Sequence, residues 1–115
     1  MVDYQWGIFW ADLTLTKGSE QAGIRPVLVV SAEEVNQALP IVTILSLTSI
    51  KKGRKVYPIE VLLSSKVTGL PKDSIAMAHQ IRAIAKERLG EKCGSINTDE
   101  MKEQIRTAIK IYLDL

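Results

Sequence analysis

The chain reads as a mainly β protein with helices, an α+β fold in which a small antiparallel, partly closed barrel carries a C-terminal helix. Three observations predict it. Short β-branched and aromatic runs recur, "WGIFWADL", "PVLVVS", "IVTILSLTS" and "VYPIEVLL", the composition of pleated, packed strands. Polar stretches punctuated by glycine or proline separate them, "LTKGSEQAGIR" and "KKGRK" among them. The clearest helical pattern stands at the end, where Met101, Ile105, Ala108, Ile109, Tyr112 and Leu113 fall on one face.

The elements follow in order. Residues 6–13 read as a strand buried on both faces. A wet, glycine-punctuated loop comes next, and Pro26 opens a strand over 26–31, tolerated there as its first residue. Ser31 and Glu34 have capping-box spacing, so "AEEVNQAL" reads as a short helix stopped by Pro40. Residues 41–49 read as a central strand. Residues 51–55 then form a hairpin loop to an antiparallel strand over 56–63, in which Pro58 suggests an edge position or a bulge. Residues 64–74 read as loop, and 75–85 as one or two strands from their alternation. "KERLG" is a helical turn ended by Gly90, and Asn97 with Glu100 makes an N-cap pair for the last helix.

A length of 115 residues suits one domain, 1–115, with one core that removes roughly 65% of the unfolded surface from water. Hydrophobic residues at 46% and charged residues at 24% argue against disorder or a fibrous fold. No apolar run approaches the roughly 20 residues of a bilayer span. "MVDYQWGIFW" lacks the basic start and cleavage site of a secretory signal, and Cys93 is the only cysteine, so the expected location is the cytoplasm, away from membranes. A net charge of +2 is too small to announce a nucleic-acid partner by itself.

The sequence also narrows the chemistry. One histidine and one cysteine exclude a structural zinc site, and scattered Asp and Glu argue against the carboxylate-only magnesium site that is left. Neither G-x-x-x-x-G-K-[ST] nor G-x-G-x-x-G is present, so no cofactor is expected. What remains is a polar set without metal: Arg25, Thr48, Ser49, Ser74, His79 and Gln80. Such a set suits phosphoryl transfer, where a guanidinium fork can hold charge on the equatorial oxygens. With RNA as substrate the nucleophile is its own 2′-hydroxyl.

"GSEQAGIRPVLVVS" at 18–31, "TSI" at 48–50, "DSIAMAHQIRAI" at 73–84 and "WADL" at 10–13 resemble the toxins of the MazF/PemK family, and the resemblance runs nearly the whole chain in order. It implies a homodimer of the MazF/CcdB barrel type that cleaves single-stranded mRNA without a metal, leaves 2′,3′-cyclic phosphate and 5′-hydroxyl ends, and is neutralised by a cognate antitoxin. It implies transition-state stabilisation for Arg25 and phosphate binding for Thr48. Lys17, Ser19, Glu20 and Gln21 would line the groove, Ser49, Lys51, Lys52 and Arg54 would meet RNA beside it, and Ser74 and Gln80 would read it from the opposite side. His79, where many relatives have Asp or Glu, would move a proton or serve recognition, and Ile8 stands where an acidic residue is common.

Simpler readings stand beside these. A lone histidine is more often packed than catalytic, and "KKGRK" is ordinarily a solvated hairpin; Trp6 and Trp10 could stack on bases, but the strand pattern favours core or dimer-interface positions for them. The same barrel also serves toxins that poison DNA gyrase by contact, so a non-catalytic gyrase-poison or RNA-binding barrel is the competing expectation.

Overall fold

The computed structural model describes residues 2–13, 18 and 23–115. Its strands are β1 (Gly7–Asp12), β2 (Ile24–Val29), β3 (Ile41–Ser49), β4 (Glu60–Leu63), β5 (Ser74–Ala85) and β6 (Leu89–Ser95), with helices α1 (Glu33–Ala38), α2 (Ser65–Thr68) and α3 (Asp99–Leu113). A 3₁₀ turn, Lys86–Arg88, joins β5 to β6. The six strands make one sheet in the order β4-β5-β3-β2-β1-β6, and every pair is antiparallel. The α+β class and the C-terminal helix are as expected. The sheet stays open, with β4 and β6 as its edges.

Side-chain alternation splits the core between the two faces. Ile8, Leu28, Leu45, Leu47 and Ala76 pack with Ile105 and Ala108 of α3. Their strand neighbours Phe9, Val27, Val29 and Ile44 pack with Val42 and Ile84 in a second cluster. Period-two alternation assigns neighbouring residues to opposite faces, and each fully buried Leu or Ile contributes about 1.5–3 kcal/mol.

Several boundaries differ from the sequence reading, each for a local reason. β2 begins at Ile24, so Pro26 lies inside the strand, opposite Trp10. The expected hairpin between residues 41–49 and 56–63 does not form, because β5 lies between β3 and β4. β5 is the longest strand at 12 residues, and its apolar density suits a position paired on both sides. β4 keeps only Glu60–Leu63, at the edge that Pro58 foreshadowed. Residues 65–68 are helical, capped by Ser64 Oγ on Lys66 N at 3.2 Å and by Gly69 at φ 84°. The expected helical turn is present as the 3₁₀ turn Lys86–Arg88, but β6 starts at Leu89, so Gly90 lies inside a strand instead of ending the turn. At Gly94 a Cβ would lie 2.6 Å from the Thr68 carbonyl oxygen, so only glycine lets α2 close on β6.

The helix caps also move. Ser31 and Glu34 make no capping box at α1, whose N-cap is Ala32. Ser31 Oγ instead donates to Asn36 Oδ1 and accepts from Thr43 N, at 2.5 and 2.9 Å. Its neighbour Glu33 receives the backbone N–H groups of Tyr4 and Gln5, at 3.1 and 2.8 Å. α3 is capped by Thr98, whose Oγ1 accepts from Met101 N at 3.3 Å. Asn97 turns to Ser95. Ile105 and Ala108 are buried as expected, but Tyr112 and Leu113 are exposed, because the apolar periodicity of α3 outlasts the sheet beneath it. Among the described residues no helix is long and apolar enough to cross a membrane.

Candidate active site

Arg25 and Thr48 come from neighbouring strands. In the β2–β3 ladder Val27 stands opposite Ser46, and the same register carried two residues further sets Arg25 against Thr48. Opposite residues of an antiparallel pair project to the same side. The paired ladder stops at Val27, and at the open strand ends both side chains line a cavity of about 340 Å³.

The remaining walls follow from the pairing of β3 with β5. Ser49 lies opposite Ser74, and both reach the cavity. Ser74 is buried, with Oγ donating to the Lys72 carbonyl at 3.3 Å, and Lys72 itself stands at the cavity wall. Trp10, Ile24, Pro26, Leu70 and Pro71 supply an apolar surface. Two cations, three hydroxyls and an apolar wall thus meet in one place. Such a site holds a phosphate by charge and hydrogen bonds while offering its flat apolar surface to a ring.

A larger cavity of about 690 Å³ lies between β4 and α3. Glu60, Glu100 and Glu103 line it, and none of the residues expected to act on RNA reaches it. Of the two, only the smaller cavity is lined by expected site residues.

Of the expected site residues, the fold therefore brings Arg25, Thr48, Ser49 and Ser74 together. Lys17, Ser19, Glu20 and Gln21 lie outside the described residues. Lys51 and Lys52 are exposed in the turn after β3 and do not line the cavity. Arg54 is not free for phosphate: its Nη1 and Nη2 donate to Glu60 Oε1 and Oε2 at 3.0 and 2.7 Å. The hydrogen bond from Arg54 holds the Glu60 carboxyl below its ordinary range, against burial, with help from Tyr57 N and the field of His79.

His79 and Gln80 do not reach the cavity either. The pairing of β3 with β5 is irregular here. Ile44 faces Arg82 while Ser46 faces Met77, so two steps along β3 match five along β5. His79 and Gln80 sit in that unpaired stretch, and a bulge re-aims the side chains it contains. His79 Nδ1 is buried with no hydrogen-bond partner among the described residues. No group of three His, Cys, Asp or Glu positioned for a metal occurs among the described residues. Cys93 is half-buried, and burial pushes its thiol up, away from a reactive thiolate.

Sequence reasoning missed Lys72 and ranked base stacking by Trp10 second. Trp10, favoured by the strand pattern for core or dimer interface with base stacking as the alternative, is 43% exposed in the single chain, which removes the core reading. Its signal was the alternation that buries Phe9 and Ala11 on the other face. Lys72 stands two residues before Ser74, in a segment that only the fold brings to β2.

The family described as PemK-like, MazF-like toxin of type II toxin–antitoxin system matches residues 4–113. The chain belongs to the PemK/MazF toxin family. Its relatives include Endoribonuclease MazF9 of Mycobacterium tuberculosis (strain ATCC 25618 / H37Rv), 40% identical over 94% of this chain and 93% of that protein. Endoribonuclease EndoA of Bacillus subtilis (strain 168) is 34% identical over 100% of this chain and 97% of its own length. Among solved structures, an endoribonuclease in complex with its cognate antitoxin from Mycobacterial species superposes with a TM-score of 0.79 at 24% identity, over 99% of this chain and 97% of that one. That likeness shows that the open sheet with its C-terminal helix is the fold of this PemK/MazF chain.

Proposed function

We propose that this chain is a sequence-specific endoribonuclease, the toxin of a toxin–antitoxin pair, cutting single-stranded mRNA at the cavity between β2, β3 and β5. The convergence of Arg25 and Thr48 at the open ends of β2 and β3 carries this reading, together with two full-length relatives named endoribonucleases.

The chemistry is a transesterification. The ribose 2′-oxygen attacks the adjacent phosphorus, and the bond from phosphorus to the 5′-oxygen of the next nucleotide breaks. The 2′-hydroxyl proton leaves, the departing 5′-oxygen gains one, and the products are a 2′,3′-cyclic phosphate and a 5′-hydroxyl. Arg25 offers its guanidinium fork to the non-bridging oxygens as charge builds on them. Thr48 Oγ1 donates to one of those oxygens and fixes the phosphate for in-line attack. No step is assigned to a metal or cofactor.

Residues 1–115 act as a single toxin domain in the cytoplasm, as a homodimer. The partner is a cognate antitoxin, with an acidic, flexible segment laid over the basic groove. The fold-level neighbour bound to its own antitoxin supports that assignment. Lys17, Ser19, Glu20 and Gln21 contact bases or sugar, and Lys51 and Lys52 contribute to the positive approach.

The deciding experiment incubates the purified protein with a long single-stranded RNA in EDTA, beside Arg25→Ala, and maps the fragment ends. Cleavage at one recurrent short word with cyclic-phosphate ends, lost in the variant, is expected. Intact RNA with folded, antitoxin-free protein would move the chain to the gyrase-poison or binding-barrel class.

A further inference from the structure

We propose that Trp10 is a stacking platform for one base of the bound RNA, the base nearest the phosphate held by Arg25 and Thr48. This rests on reading the chain as an RNA-cleaving enzyme and adds a specificity-determining residue to it.

The two tryptophans have opposite fates. Trp6 packs against the core, and its ring is covered by Lys102 Nζ and the Arg106 guanidinium, at 5.8 and 5.2 Å from the centroid. Trp10 lies on β1 between Phe9 and Ala11, which are 3% and 1% exposed, yet is itself 43% exposed and lines the Arg25 cavity. Its strand partner is Pro26, the residue next to Arg25, and both Trp10 and Arg25 line the cavity at this end of the strands.

The cavity is divided as a nucleotide is divided. Trp10, Pro26 and Pro71 give flat or rigid apolar surface, while Arg25, Lys72 and Thr48 give charge and a donor. An exposed indole beside cations matches how single-stranded nucleic acid is held, with bases on aromatic faces and phosphates on basic groups. Its 340 Å³ lies at the small end of ligand sites, fitting one nucleotide rather than a folded peptide segment. Stacking alone tolerates any base, so Trp10 sets the position of a base and favours purines by their larger face.

The test uses a short RNA spanning the word mapped on the wild-type protein, with a 2′-deoxy sugar at the cleaved nucleotide so that it binds without reacting. A series of the same RNA has one base removed at each position in turn. Kd is measured for wild type, Trp10→Phe, Trp10→Leu and Trp10→Ala. One abasic position is expected to weaken wild-type binding by about tenfold to a hundredfold and to leave Trp10→Ala within twofold of its own value. Trp10→Phe retains most of the affinity, and Trp10→Leu, apolar but without a flat face, behaves as Trp10→Ala and carries the measurement if that variant does not fold.

Equal losses at every abasic position in wild type and variants would overturn the proposal. So would wild-type affinity in Trp10→Leu, or a loss confined to binding of an acidic antitoxin peptide, which would make Trp10 a protein contact. A wild-type protein that cuts no RNA overturns the enzyme reading and this one together, whereas cleavage without coupling overturns only the role of Trp10.

Discussion

Arg54 and Glu60 form a two-point ion pair, Nη1 to Oε1 at 3.0 Å and Nη2 to Oε2 at 2.7 Å, and the carboxylate side chain is only 2% exposed. A cation in a basic surface run is therefore committed to fastening that run to β4. Tyr57 N adds a third hydrogen bond to the same carboxylate at 3.1 Å. Arg54→Met is expected to lower the thermal midpoint markedly, because it strands a buried carboxylate. Arg54→Met with Glu60→Met should cost less than the sum of the single changes. The pair holds the Glu60 carboxyl below its ordinary range, so its stabilisation is present above the unfolded value near 4.5 and fades as pH falls below that. Melting curves at pH 7 and pH 4 check this, the variant's deficit shrinking at the lower pH. Arg54→Met should also leave the salt slope of RNA affinity unchanged.

Arg25 and Thr48 should differ in the size of their effects. Arg25→Ala removes the donors aimed at the developing charge and is expected to lower the single-turnover cleavage rate by about a hundredfold to a thousandfold. Arg25→Lys recovers little, since an ammonium cannot reproduce the fork. Thr48→Val, which keeps the shape and removes one neutral hydrogen bond, should cost about tenfold. Arg25→Ala cleaving at the wild-type rate would remove the cavity from consideration as the site.

His79 does not line the Arg25 cavity, and its field reaches Glu60. His79→Gln is accordingly expected to keep the single-turnover rate within about tenfold and to leave the pH dependence of that rate unchanged, since general acid–base contributions run at about a hundredfold or more. A pH–rate profile that loses one limb in the variant would show the imidazole moving a proton.

Glu33 ties the start of the chain to α1. Burial raises its carboxyl, but hydrogen bonds from Gln5 N, the Gln37 amide, Tyr4 N and the Asn36 amide outweigh it and bring the pKa from 4.5 to about 2. A carboxyl depressed in the folded state stabilises above its unfolded pKa and loses that contribution as pH falls from 4.5 towards 2. Glu33→Gln is expected to cost about 1–2 kcal/mol at pH 7, after discounting for solvent screening. It should also flatten the acid limb of stability between pH 5 and 2. Urea titrations at several pH values read both effects.

The sequence by itself determined the α+β class, the extent of β3 and the helix at the end, and it singled out Arg25, Thr48, Ser49 and Ser74, which the fold brings to one cavity. Those are local matters. β-branched runs, glycine punctuation and a 3.6-residue apolar period act over a few neighbours, and the G-S-E-Q-x-G-x-R-P run carries the family in one contiguous piece. Only the tertiary structure decided the rest. That β5 inserts between β3 and β4 depends on which strand buries most when paired on both sides, a comparison between segments far apart in the chain. That Arg54 faces Glu60, and that His79 falls in an irregular stretch, depends on registers no periodicity encodes. Trp10 has the composition of a core residue. Its exposure follows from the open ends of β2 and β3, where the sheet stops covering what the strand presents.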